Sequence, residues 1–373
     1  MSRLVSLVHE HLREPNSIEL RGTADNSDIQ AETFLNQNVN LVTRNWGYAA
    51  YPEYQNPELL SALSSIYNVP EENLMITQGG EGAINRLSEM FCSKDDAVLT
   101  HGPTFFSYQD FAQKQGAHTL DVPLIKTGDT YKLDTKGIVN AASDKNYNVK
   151  MLWICNPNNP TGTYFEPHQV FDILERLKNK DVAVIIDEAY IEISGKKSMT
   201  EHIDKYPNMI VMRTLSKAYS AAGLRVGAII SGDTDFLDIA RKTPPFYSAS
   251  EPSVTAALEL LDPSKQEEVQ ESYKKIRALR RALSRSISNE LNIKVDQSDT
   301  NFLLLHVDEP EQVYTSLIKQ HKIKVGDPNL LSIGKSVRVS IGESLATNLK
   351  LLESLQDLRE QTSLELPKFD HTN

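Results

Sequence analysis

The chain has 373 residues, 40% of them apolar, which is typical of a globular protein. Its length predicts two domains of about 100–200 residues each. The formal net charge at pH 7 is −11, which argues against a protein that binds nucleic acid, because such a protein presents a basic face to the phosphate backbone.

The first predicted element is an amphipathic helix. Apolar residues between Leu4 and Leu12 recur at helical spacing, and Pro15 follows them. Charged residues interrupt this stretch, so it lacks the apolar core of a signal peptide, and no run approaches the roughly 20 residues of a membrane span. Cys92 and Cys155 lie in apolar surroundings and are predicted to be buried thiols in a reducing compartment. We therefore expect a cytoplasmic protein with no membrane partner.

Helices and strands then alternate as far as residue 231. Helices are predicted at 57–68, 81–91 and 106–115, and strands at 74–77, 97–100, 119–122, 149–155, 182–186, 209–213 and 227–231. Several of these strands are almost entirely apolar, as strands buried on both faces are. The alternation predicts an α/β fold, with a mostly parallel seven-stranded sheet covered by helices.

The pattern changes beyond residue 250. A long charged helix at 264–290, strands at 301–307 and 337–341, and a helix at 343–358 predict a smaller α+β domain. We divide the chain into an N-terminal segment that covers the site (1–44), a large domain (45–250), a small domain (251–360) and a tail (361–373).

Four motifs follow predicted strands, at the sheet edge where open α/β sheets bind ligands. The first is RTLSK, which ends at Lys217. A lysine just past a buried strand is placed to form a Schiff base in a dry site. The hydroxyls of Thr214 and Ser216 and the guanidinium of Arg225 would bind a phosphate. The alternative is a surface lysine in a strand–helix turn, which short Ser-Lys strings taken alone favour.

The second motif is DEAY, which begins at Asp187 and ends at Tyr190. A carboxylate at the end of a buried strand is costly unless a cationic or protonated group meets it. A pyridinium nitrogen is such a group, and Tyr190 would then bind the phenolic oxygen of the same ring. The alternative is that Asp187 caps the following helix.

The other two motifs are loops. The string NPNNPTG (156–162) contains two prolines and a glycine, which predict a rigid loop that holds Asn159 in one orientation. The string GGEG (79–82) opens a helix, where the backbone amides of Gly80 and Glu81 would bind an anion. Each motif is weak evidence alone, but the four together indicate a pyridoxal-phosphate (PLP) enzyme.

The order of these motifs resembles that of the fold-type-I PLP enzymes of the class I/II aminotransferase family, over roughly residues 45–345. The string RTLSKAYSAAGLRVG (213–227) is similar to that of histidinol-phosphate aminotransferases. The resemblance implies that Lys217 holds PLP and moves the substrate proton, that Asp187 pairs with the pyridine nitrogen, and that Asn159 and Tyr190 bind the ring oxygen O3′. It implies the following phosphate ligands: Gly80, Glu81, Thr214, Ser216 and Arg225.

The resemblance assigns roles to further residues. Phe105 matches the aromatic residue that stacks on the cofactor ring, with Ala189 on the opposite face. Tyr51 matches a tyrosine that reaches the phosphate in a neighbouring subunit, which implies a homodimer. Arg338 matches the arginine that binds the substrate α-carboxylate, and the alternative is an exposed strand arginine.

The residues around the substrate side chain depart from the histidinol-phosphate pattern. The Asn-Glu-Asn-Pro-type segment of those enzymes corresponds to residues 19–26, which lack the proline, and a second arginine is replaced by Val325. Glu19 and Asp25 would suit a cationic side chain such as a guanidinium, unless they are solvated loop carboxylates. We therefore predict a free amino acid substrate with a neutral or cationic side chain.

The reaction type stays open at this point. Motifs that bind the cofactor do not separate transamination from elimination, replacement or ring closure. The family favours transamination, and the altered segment favours a specialised relative such as a cyclase on a hydroxyarginine-type substrate. Genuine histidinol-phosphate transamination ranks third. A PLP-binding regulator of DNA is disfavoured, because the acidic chain leaves no room for a DNA-binding module.

Overall fold

The computed structural model describes residues 2–13, 51–243, 249–331 and 333–362, with side chains described as far as residue 360. Glu19 and Asp25, which the sequence predicts to bind the substrate, lie outside these ranges, as does the tail from residue 363.

The N-terminal helix was wrongly predicted as one element. It is two short helices, α1 (Arg3–Leu7) and α2 (Glu10–Arg13). Val8 between them has an extended backbone (φ −63°, ψ 142°), and the His9 amide donates to the carbonyl of Met90 over 3.0 Å. The His9 amide thus finds its acceptor outside the helix, which allows the helix to break there. Because the acceptor belongs to a distant part of the chain, the helical periodicity of residues 4–12 does not reveal the break.

A seven-stranded sheet lies at the centre of the molecule. The strands up to residue 231 are β1 (Leu74–Gln78), β2 (Asp96–Thr100), β3 (His118–Asp121), β4 (Ile125–Thr127), β5 (Thr130–Lys132), β6 (Asn148–Cys155), β7 (Ala183–Asp187), β8 (Met209–Thr214) and β9 (Val226–Ser231). The sheet order is β1-β9-β8-β7-β6-β2-β3, and within it only β9 runs in the direction opposite to the other six strands. The mostly parallel seven-stranded sheet is therefore confirmed. The short hairpin β4–β5 pairs separately and was not predicted.

Helices cover the sheet and continue beyond it. They are α3 (Pro57–Tyr67), α4 (Gly79–Phe91), α5 (Ser107–Lys114), α6 (Thr135–Ala142), α7 (Pro167–Leu177), α8 (Ile191–Ser194), α9 (Leu215–Ala218), α10 (Thr234–Lys242), α11 (Glu251–Leu261), α12 (Gln266–Leu291), α13 (Pro310–Lys319), α14 (Pro328–Leu331) and α15 (Leu345–Thr362). Local signals bound α3: the Asn56 side chain caps its first turn, and Asn68 ends it in the left-handed conformation. Among the described residues, no helix combines the length and the apolar character needed to span a bilayer.

Two cores pack on the two faces of the sheet. Along β6, Leu152 and Ile154 belong to one core, while Met151 and Trp153 belong to the other, because successive side chains of a strand point to opposite faces. Burying each such side chain stabilises the fold by about 1.5–3 kcal/mol. Burial on both faces explains the continuous apolar runs in the sequence.

A further core packs against a small two-stranded sheet, formed by β10 (Phe302–His306) and β11 (Ser336–Ser340). The carboxyl-terminal half of α12 packs here through Leu283, Ile287 and Leu291, whereas Tyr273 of the same helix and the buried residues of α11 belong to a core of the large sheet. Helix α12 therefore joins the two parts. We propose that the small domain begins within α12.

His101 is expected to make the fold sensitive to acid. Its ring is fully buried after β2, where Nε2 accepts from the amide of Cys155 over 3.1 Å. Burial lowers the pKa of His101 to about 3. An unfolded histidine takes up a proton near pH 6.5, whereas the folded one stays neutral down to about pH 3. The contribution of His101 to the free energy of unfolding therefore decreases as the pH is lowered through this interval.

The test replaces His101 with glutamine, which keeps an acceptor and does not titrate. Between pH 7 and pH 5, wild type should lose about 2 kcal/mol more free energy of unfolding than H101Q. Urea unfolding of both proteins at the two pH values measures this difference, and other titrating groups cancel in the comparison. Equal losses in the two proteins would contradict the prediction.

Candidate active site

A cavity of about 190 Å³ opens at the carboxyl ends of β6, β7 and β8. Parallel strands end at the same edge of a sheet, so the motifs that follow them converge there. Most residues that the sequence assigned to the cofactor line this cavity: Gly80, Glu81, Phe105, Asn159, Asp187, Ala189, Tyr190, Thr214, Ser216, Lys217 and Arg225. Tyr51 is not among the lining residues, and its side chain is 58% exposed.

Lys217 projects from the short helix α9, directly after β8. Thr214 caps this helix, because its hydroxyl accepts from the amide of Ser216 over 3.2 Å. The Lys217 ammonium lies 5.9 Å from the ring centre of Tyr190. The side chain is exposed within the open cavity, but the protein atoms around it exclude enough water to lower its pKa, and Arg338 lowers it further. Both influences act toward the neutral amine, the form that can accept a proton.

Asp187 is almost fully buried at the end of β7. Its Oδ1 accepts from the amide of Ala189 over 3.0 Å, and its Oδ2 accepts from the hydroxyl of Tyr108 over 2.5 Å. Burial raises the pKa of Asp187 to about 6, while these hydrogen bonds and Lys217 act in the opposite direction. Helix α8 has Tyr190 rather than Asp187 at its cap position. A cationic ring nitrogen in the cavity would compensate this buried carboxylate.

The NPNNPTG loop is held from both sides. The amide of Gly162 donates to the carbonyl of Asn158 over 2.8 Å, and the amide of Asn158 donates to Thr163 over 2.8 Å. Gly162 has a positive φ of 78°, and a Cβ there would lie 2.5 Å from the hydroxyl of Ser298, so only glycine fits. This packing holds Asn159 in one place.

Arg338 lies on β11 and joins the loop to the small sheet. Its Nη1 donates to Oδ1 of Asn159, which leaves the amide nitrogen of Asn159 to donate elsewhere. The guanidinium lies 5.2 Å from the ring centre of Phe302, and Phe302 packs edge-on against Tyr190 at 5.5 Å. Arg338 is therefore partly buried and contacts the cavity-lining residue Asn159, so it is not an exposed strand arginine, although it does not itself line the cavity.

Several groups that could bind an anion line the cavity around the start of α4, Thr214, Ser216 and Arg225. The start of α4 has no side-chain cap, so its first amides are available for a ligand. A Cβ at Gly79 would lie 3.0 Å from the guanidinium of Arg225, and the Thr214 and Ser216 hydroxyls lie 2.9 Å apart. Amides, hydroxyls and a guanidinium together suit a phosphate monoester. With the buried carboxylate and the lysine, the site fits the phosphate, ring nitrogen and aldehyde of PLP.

Sequence reasoning missed several residues of the site. Tyr108 and Phe302 contact Asp187 and Tyr190, respectively, and Met212 and Ile84 line the cavity. For Tyr108 a signal existed, because it stands one helical turn after Phe105 in the motif PTFFSY. The others are apolar residues that only the fold brings to the cavity, as for Met212 and Ile84, or against a residue that lines it, as for Phe302.

Comparisons with known proteins agree with this geometry. The family model "Aminotransferase class I and II" matches residues 26–355. A histidinol-phosphate aminotransferase from Buchnera aphidicola subsp. Diuraphis noxia is 32% identical over 308 residues, which cover 82% of each chain.

Solved structures share the fold. That of a histidinol-phosphate aminotransferase from Sinorhizobium meliloti in complex with pyridoxal-5′-phosphate superposes with a TM-score of 0.71 at 24% identity, covering 83% of each chain. A PLP-bound C–S lyase from Staphylococcus hominis has a TM-score of 0.72 at 19% identity, and the match covers 85% of this chain and 84% of the lyase. The chain therefore belongs to the class I and II aminotransferase family and is a PLP-dependent enzyme of the fold-type-I architecture.

Proposed function

We propose that the protein is an aminotransferase for a free amino acid whose side chain is neutral or cationic rather than phosphorylated. This proposal depends on which residues occupy positions 338 and 325. Arg338 offers a guanidinium beside Asn159, whereas Val325 packs against the core of the small sheet. The ammonium of nearby Lys322 donates to the carbonyl of Lys319 over 2.9 Å. Arg338 can thus bind a substrate carboxylate, whereas position 325 offers no second arginine for a substrate phosphate.

The chain's own groups are suited to proton transfer at Cα. Bound PLP supplies an electron sink for the electrons released at that carbon. Lys217 would accept the Cα proton at Nζ, helped by its lowered pKa. Asp187 would hold the positive charge of the ring nitrogen, and Asn159 and Tyr190 would donate to O3′.

The remaining proposed contacts fix the cofactor and the substrate. Arg338 would bind the α-carboxylate through two parallel hydrogen bonds. Phe105 and Ala189 would enclose the ring from its two faces. The phosphate would be bound by Gly80, Glu81, Thr214, Ser216 and Arg225.

We propose a homodimer in which Tyr51 reaches the phosphate of the second subunit. Its exposed side chain, outside the cavity of its own subunit, supports this assignment. Sedimentation equilibrium should give twice the chain mass of 41.9 kDa, and a monomer at micromolar concentration would contradict the dimer.

A substrate panel tests the reaction. The PLP-loaded enzyme is mixed with arginine, 4-hydroxyarginine, histidinol phosphate, aromatic amino acids or glutamate, without an amino acceptor. An aminotransferase forms one equivalent of 2-oxo product per active site and then stops. Repeated turnover without an acceptor would indicate elimination or ring closure, as in the cyclase alternative. Turnover of histidinol phosphate far faster than of all the amino acids would refute the proposed substrate class.

Substituting Arg338 tests carboxylate binding. Because a bidentate, charge-assisted contact is lost, R338A should lower kcat/KM for the preferred amino acid roughly 100-fold. The corresponding amine without the α-carboxylate is the matched control, and its slow turnover should change less than about threefold. Equal losses for the two compounds would show that Arg338 has a structural role instead.

A further inference from the structure

Tyr108 is a buried side chain with a defined place behind the cofactor site. It lies on α5 with no exposed surface. Its ring stacks on Trp153 at 4.5 Å with an interplanar angle of 7°, and Phe105 packs edge-on against it at 5.6 Å. Its hydroxyl donates to Oδ2 of Asp187 over 2.5 Å. The ring is therefore fixed by aromatic contacts, and its one polar group is directed at Asp187.

We propose that Tyr108 is a positioning residue whose hydroxyl keeps the Asp187 carboxylate ionised and oriented for the ring nitrogen of PLP. The proposal rests on the role proposed above for Asp187. It adds that the affinity for the cofactor depends on a residue that lies behind this carboxylate and does not line the cavity.

The surroundings of Asp187 show why a donor is needed there. The groups that face it are the Tyr108 hydroxyl, the Cys155 thiol, the Tyr190 hydroxyl, the Lys217 ammonium and one backbone amide. Burial raises the pKa of Asp187 to about 6, and the hydrogen bond from Tyr108 is the largest opposing influence. Burial also raises the pKa of Tyr108 well above its usual value, so the phenol remains a donor over the whole working range of pH.

The hydroxyl can be removed without removing the packing. In Y108F the ring still stacks on Trp153, but Oδ2 of Asp187 loses its donor inside the protein, which favours the protonated form of the carboxyl. A neutral Asp187 cannot pair with a protonated ring nitrogen. The matched control is Y67F, because Tyr67 is also buried and its hydroxyl has no hydrogen-bond partner among the described residues.

The experiment measures the dissociation constant of PLP by equilibrium dialysis between pH 5 and pH 8.5, for wild type, Y108F, Y67F, D187N and Y108F/D187N. Wild-type affinity should fall on the acidic side near pH 6, as Asp187 takes up a proton. In Y108F this acidic limb should move up by about one pH unit, with binding roughly twofold weaker at pH 7 and roughly tenfold weaker at pH 5. Y67F should match wild type, and Y108F should cause no further loss in the D187N background.

Several results would overturn the proposal. Y108F could match wild type, or it could weaken binding by one constant factor at every pH, as a packing defect would. A wild-type affinity that is flat from pH 5 to pH 8 would also overturn it, even if Y108F failed to fold. If D187N bound PLP as tightly as wild type, the proposed role of Asp187 itself would fail. If D187N bound weakly while Y108F bound normally, only the inference about Tyr108 would fail.

Discussion

Replacing Lys217 with alanine is expected to lower turnover by at least about 10³-fold and to abolish covalent attachment of PLP. The amine that would accept the Cα proton is removed, and among the described residues that line the cavity there is no other lysine. Arg225 also lies there, but a guanidinium stays protonated and cannot act as the base. PLP should still bind through the phosphate contacts, with weaker affinity.

Borohydride reduction followed by peptide mass mapping measures the attachment directly. In wild type, one peptide that contains Lys217 should gain the mass of the reduced cofactor, and in K217A no peptide should. K180A, at an exposed lysine beyond α7, is the matched control and should behave as wild type. Labelling of another lysine in wild type, or turnover of K217A within tenfold of wild type, would refute the assignment.

The second large effect is expected in stability, from Arg213→Met. The Arg213 side chain is 6% exposed, and its Nη2 lies 2.7 Å from Glu192 while its Nη1 lies 3.4 Å from Glu188. The guanidinium also lies 4.4 Å from the ring centre of Tyr67. Removing one partner of a buried ion pair leaves uncompensated charge, so R213M should lose about 3–5 kcal/mol of the free energy of unfolding.

The loss should grow with pH. Burial raises the pKa of Glu188 to about 7, although Arg213 opposes the shift. A carboxyl whose folded pKa lies above its unfolded value of about 4.3 destabilises the fold increasingly as pH rises through that interval. Without Arg213 the pKa of Glu188 rises further, so the pH range between its unfolded and folded pKa values extends to higher pH. The loss of free energy of unfolding in R213M is therefore larger at pH 8.5 than at pH 6.

Urea unfolding of R213M and wild type at these two pH values measures the effect. The control is K197M, which breaks the exposed pair Lys197–Glu201, with side chains 85% and 46% exposed, and should change stability by less than about 0.5 kcal/mol. If R213M lost less than about 1 kcal/mol of the free energy of unfolding, or if its loss became smaller as pH rises, the predicted role of the buried ion pair would be contradicted.

Much of the cofactor site follows from local signals. The lysine motif, DEAY and the NPNNPTG loop each follow a strand that is apolar on both faces, and such strands belong to a covered parallel sheet. Their carboxyl ends must then meet at one edge. This reasoning predicted that Lys217, Asp187 and Asn159 share a site, and the cavity confirms that they lie together. Their chemical roles stay predictions.

Other features depend on contacts between distant parts of the chain. The hydrogen bond from Tyr108 to Asp187 joins residues 79 positions apart, and the one from Arg338 to Asn159 joins residues 179 positions apart. The break in the N-terminal helix depends on the Met90 carbonyl. No local pattern encodes such pairs, because either partner alone is also compatible with a solvated or purely apolar environment.

The sequence by itself determined the sheet, the family and most of the residues that line the cavity, because periodicity and strand-end motifs are local properties of the chain. Three features were decided only by the tertiary structure. Asp187 is buried without a bonded cationic side chain, Arg338 donates to Asn159, and Tyr108 donates to Asp187. These depend on desolvation and on distances of a few ångströms, and only the packed chain sets both.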